Sequence, residues 1–142
     1  MKNLLLLFFI LFLSNAFSET IITCDSIHGY SHFHPNTMTK KENSGWEDDA
    51  IKNGKFSLIQ VDKKFDILFS DAVGQFTSYR ADGGTVELLD ATPPFYNFII
   101  YYPNKIIELF SFNLEEKYLS YSSHKFGIYP LVKLGAYVGK CQ

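Results

Sequence analysis

From Gly54 onward the chain alternates short runs of β-branched and aromatic residues with clusters of turn formers. The runs cover 55–62, 65–71, 75–80, 85–90, 95–102, 106–113, 118–125 and 132–140. Val, Ile, Phe, Tyr and Thr suit a pleated, half-buried surface, so each run is expected to be a strand. The hydrophobic pattern has period two: Phe65, Ile67 and Phe69 share one face, Asp66 and Ser70 the other. Val132, Leu134, Ala136 and Val138 likewise alternate with Lys133, Gly135, Tyr137 and Gly139. The run 95–102 is apolar on both faces, so it needs a cover on each side or lies beside a ligand or partner surface.

Parallel strands require a crossover of about a dozen residues. No break between these runs is that long, so the fold class is all-β with an antiparallel meander. Eight consecutive strands suit a small barrel, which removes exposed edges by closing. A two-sheet sandwich is the alternative. Two further short strands are expected at 20–24 and 30–34. The segment 36–53 is polar and lacks alternation. Its Ser44-Gly45-Trp46-Glu47 has the spacing of a capping box, and Asp48 and Asp49 favour a helical first turn. One short helix over 45–52 is therefore predicted, with an irregular loop as the alternative.

The N-terminus reads as an address. Lys2 precedes an unbroken apolar run from Leu4 to Leu13, followed by Ala16-Phe17-Ser18. That order marks a secretory signal peptide over residues 1–18 and leaves a single domain over 19–142. Ten apolar residues rise only about 15 Å as a helix, half a bilayer core, so no permanent membrane span is expected. The expected localisation is exported, either periplasmic or secreted.

Composition narrows the function classes. The 142 residues carry a formal charge of −2 and a pI near 6.0, which argues against a nucleic-acid partner. At 46% hydrophobic and 20% charged, the chain is too apolar to be disordered. Export implies an oxidising compartment, and the two cysteines lie near the two ends. A structural disulfide between Cys24 and Cys141 is the expected state.

No serine-hydrolase, zinc-protease or phosphate-loop motif is present, and no cofactor is implied. His32 and His34 share a face if 30–34 is a strand, and two imidazoles on one face can begin a zinc or copper site. Hydrogen-bonding edge histidines are the plainer reading. The aromatics are the remaining signal. Tyr96, Phe98 and Tyr101, with Trp46, are candidates for a surface that holds a small apolar or aromatic ligand, although core packing is the commoner reason for such residues. The sequence therefore favours a non-enzymatic exported binding protein. A protein-interaction or inhibitor-type envelope factor and a metal-binding protein are the alternatives.

Cys24-Asp25-Ser26, Gly29-Tyr30-Ser31, Ser44-Gly45-Trp46 and Asp66-Ile67-Leu68-Phe69-Ser70-Asp71 together form a pattern that resembles small exported bacterial proteins. The likeness spans most of the chain after the signal and implies no activity.

Overall fold

The computed structural model describes residues 18–36, 38–70, 74–127 and 131–142. The proposed signal peptide, apart from Ser18, lies outside them. Ten strands form one antiparallel sheet: β1 (Ser18–Phe33), β2 (Gly45–Ala50), β3 (Lys55–Val61), β4 (Lys64–Ser70), β5 (Phe76–Ser78), β6 (Thr85–Asp90), β7 (Phe95–Tyr102), β8 (Ile106–Asn113), β9 (Tyr118–Lys125) and β10 (Lys133–Cys141). The order across the sheet is β5-β4-β3-β1-β10-β9-β8-β7-β6, with β2 also paired to β1. Two meanders, β3 to β5 and β6 to β10, are thus joined through the first strand.

β1 is one strand of 16 residues where the sequence suggested two short ones. Its first half pairs with β3, its second half with β2, and β10 runs along its other side from Cys24 to Phe33. The polar stretch that broke the pattern is a β-bulge between Asp25 and His28, with Ser26 at φ 53°. A bulge absorbs an extra residue without ending the strand.

The segment 45–52 is neither helix nor loop. β2 pairs with β1 from His28↔Ala50 to Phe33↔Gly45. The capping-box serine does not cap: Ser44 Oγ donates to the Lys41 carbonyl, closing a 3₁₀ turn over Lys41–Asn43, the only helical turn among the described residues. Cross-strand pairing satisfies every alternate backbone group of β2. A helix of one or two turns has no comparable support.

The sheet curls into a half-barrel. All ten strands belong to one sheet, unlike the two-sheet alternative, and β5 and β6 do not pair, so the barrel is open. Arg80 spans the opening. Its Nε donates to the Phe65 carbonyl on β4 at 3.2 Å, and its Nη2 donates to the Val86 carbonyl on β6 at 2.5 Å. Behind it, Phe65 meets Tyr96 and Phe98 of β7 with ring centroids 5.7 and 5.8 Å apart. The concave side is the core: Cys24, Leu58, Ile67, Phe98, Ile100 and Phe112 are all essentially inaccessible. Burying each large apolar side chain contributes about 1.5–3 kcal/mol. Cys24 and Cys141 are register partners and are joined by the expected disulfide.

Candidate binding chamber

The concave side is not apolar throughout. On β8 the inward positions are Glu108, Phe110 and Phe112, all buried. Their neighbours on β9 are Leu119, Tyr121 and Ser123. Glu108 and Ser123 are register partners, so a carboxyl group and a hydroxyl share the same inward face. Glu108 Oε1 accepts hydrogen bonds from the Tyr121 hydroxyl at 2.5 Å and from Ser123 Oγ at 3.0 Å. Glu108 Oε2 is buried and has no hydrogen-bond partner among the described residues.

Glu108 borders a chamber of about 470 Å³ at this end of the half-barrel. Its walls include the rings of Phe56, Phe69, Tyr79, Tyr102 and Tyr121. The rings brace one another: Phe69 packs on Tyr79 at 4.7 Å and Phe56 on Tyr121 at 5.0 Å. Two acidic residues, Asp82 and Glu108, and two basic ones, Lys105 and Lys125, complete the charged part of the lining. Tyr102 donates to Asp82 at 2.9 Å. Burial, reinforced by the Glu108 charge, holds the Tyr79 and Tyr121 hydroxyls well above their ordinary pKa. Burial pushes the Lys125 ammonium down, against the pull of Glu108. The tyrosines therefore stay protonated at neutral pH.

A second polar group lies close by. Tyr121 stacks on Tyr137 with centroids 5.3 Å apart. The Tyr137 hydroxyl reaches Asp49 Oδ2 at 2.7 Å, and Ser31 Oγ and Lys133 Nζ also donate to that oxygen, at 2.7 and 2.6 Å. Ser31 is wholly inaccessible, so its hydroxyl is a structural donor and not an available nucleophile. Burial alone would raise the Asp49 pKa. The hydrogen bonds from Lys133, Ser31 and Tyr137 outweigh it and hold the value at about 2.

The residues singled out by the aromatic pattern do not converge. Phe98 is in the core and Tyr96 packs inward on Phe65, whereas Tyr101 lies on the opposite face of β7. Trp46 stands exposed on β2, edge-on to His32 at 5.3 Å. His32 and His34 do come together, with ring centroids 4.6 Å apart. Among the described residues, however, no three His, Cys, Asp or Glu side chains are grouped to hold a metal.

The pattern reading overlooked Glu108, although a signal was present: an acid in phase with Phe110 and Phe112 belongs to the inward face. Asp49, expected in the first turn of a helix, lies instead on β2. No family model, curated protein or solved structure matches the chain.

Proposed function

We propose that this is an exported, non-enzymatic binding protein that takes a small molecule into the chamber beside Glu108. One observation carries the reading: five aromatic rings and a buried carboxyl group line a chamber of about 470 Å³. That size lies within the range of small-molecule sites, and a mostly apolar wall with few polar groups is their usual chemistry. The end-to-end disulfide fits an oxidising compartment, and no helix among the described residues is long and apolar enough to cross a membrane.

The test is a titration with small aromatic and aliphatic compounds, read by calorimetry. Saturable binding is expected, and it is expected to vanish when Ile106 on the chamber wall is enlarged to Trp. Absence of saturable binding across the panel, or binding indifferent to Ile106→Trp, overturns the reading.

The outer face favours a second reading, docking of a protein. Leu89, Leu109 and Val138 are exposed there, and a shallow depression of about 390 Å³ lies beside Leu89 and Leu109. Leu109→Glu would abolish such an association and leave ligand uptake by the chamber unchanged.

A further inference from the structure

We propose that the open edge of β2 takes up an extended, basic segment of another protein as an additional antiparallel strand. The proposal goes beyond the chamber and does not depend on it.

The ladder shows which backbone groups are on offer. Among the described residues, β2 pairs with β1 alone. His34 N–H donates to the Val132 carbonyl, and Ile51 N–H donates to the Ile27 carbonyl. Antiparallel bonding alternates along a strand, so His28, Tyr30 and His32 bond towards β10, and Gly29, Ser31 and Phe33 towards β2. Their partners Asp49, Glu47 and Gly45 turn N–H and C=O to β1. Trp46, Asp48 and Ala50 turn theirs to the open side. Trp46, Glu47, Asp48 and Ala50 are all exposed although they alternate between the two faces, so neither face is covered at this edge. An open row of backbone donors and acceptors is a template for a further strand.

Charge decides the occupant. Glu47, Asp48 and Asp49 are consecutive, and Asp49 is already paired with Lys133. Glu47 and Asp48 remain exposed, one on each face. Lys41 and Lys52 lie beyond the two ends of β2 in sequence, so the negative stretch is confined to the middle of the strand. A second copy of this chain is a poor match. Antiparallel registers that join at least two open residues of each β2 set Asp48 against Asp48, Glu47 against Glu47 or Asp49 against Asp49. Like charges directly opposite are destabilising. An arginine opposite Asp48 meets a carboxylate instead, on the face that also carries Trp46. The Trp46 ring is 65% exposed and offers its face to a guanidinium.

The probe is a six-residue peptide of alternating arginine and valine, capped at both ends and titrated into the oxidised protein. Trp46 is the single tryptophan, so its emission reports events at this edge. Saturable binding is expected, about tenfold tighter than for the same peptide with glutamate in place of arginine. N-methylation of the arginines removes the N–H groups that face β2 and is expected to abolish binding. Asp48→Lys, an exposed substitution, is expected to reverse the preference in favour of the glutamate peptide. If the N-methylated peptide binds as the parent does, the contact is charge alone and strand addition is overturned. Failure of the arginine peptide to bind more tightly than the glutamate one overturns the inference as well, as does an unchanged preference in Asp48→Lys. The peptide comparisons on wild-type protein stand alone if Asp48→Lys does not fold.

Discussion

Asp49 and Lys133 belong to strands that never pair with each other, yet their side chains meet at 2.6 Å across β1. The space for this contact comes from Gly29 and Gly135. Gly29 lies between Asp49 and Tyr137 in the register, and Gly135 follows Lys133 on the inward face of β10. The ion pair ties three strands together at the point where the long first strand changes partners from β3 to β2.

Acid should therefore weaken the fold through Asp49. Its folded-state pKa of about 2 lies below the ordinary 3.8. A depressed carboxylate contributes stability that is fully present above the unfolded value and lost as pH falls through the folded one. Urea unfolding at pH 7, 4 and 2.5 should show wild type losing about 1–2 kcal/mol more than Asp49→Asn across that interval, after allowance for solvent screening of a half-buried pair. Parallel losses in the two proteins would show that Asp49 is not the group responsible.

Gly135 should not tolerate alanine. A Cβ there would stand 2.4 Å from the Tyr137 hydroxyl and 2.5 Å from its ring. Tyr137 would have to leave Ser31 and Asp49. Gly135→Ala should cost about 1–3 kcal/mol. In a Tyr137→Ala background the clash has gone, and the same substitution should cost much less. A double-mutant cycle of thermal unfolding measures the difference; additive costs would contradict the packing described.

Arg80 should matter more than an exposed arginine usually does. It joins carbonyls of β4 and β6 across the open side of the half-barrel. Arg80→Ala should lower stability by about 1–3 kcal/mol and speed amide exchange in β5 and β6 first. Lysine has no fork to reach both carbonyls, so Arg80→Lys should resemble Arg80→Ala. Full protection in the lysine variant would mean that the fork is not what holds the opening.

Reduction should be felt by the whole fold. The disulfide links residues separated by 117 positions, a span for which loss of a cross-link costs about 2–5 kcal/mol. Denaturation midpoints with and without reductant, and for Cys24→Ser with Cys141→Ser, should agree with each other and lie below the oxidised wild type. Superimposable oxidised and reduced curves would rule out this role.

Much of the sheet was legible because its determinants are local. The runs 85–90, 95–102, 106–113 and 118–125 coincide with β6 to β9, where alternation and turn residues act within a few positions of one another. Pro103-Asn104 turns with Asn104 at φ 57°, a conformation asparagine accepts. β2 was illegible for the opposite reason. Its local signals, Ser44 with Glu47 and the Asp48-Asp49 pair, favour a helix, and only pairing with β1 overrides them. On β10, alternation alone does not say which set of residues turns inward. Cys141 does: its bond to buried Cys24 sends Gly139, Tyr137 and Gly135 to the core and leaves Val138 exposed. The chamber was the least legible feature, since Tyr79, Glu108 and Lys125 meet only once the sheet has curled.

The position of β1 also dictates the order of assembly. Thr23 exchanges two backbone hydrogen bonds with Gln142, and the flank of β1 from Cys24 onward is occupied by the final strand. β1 must wait, half-matched, until β10 has been made. Contacts this distant in sequence make for slow folding. Without β10, the β3–β5 meander keeps its pairing with β1, and β6–β9 has no strand through which to join it.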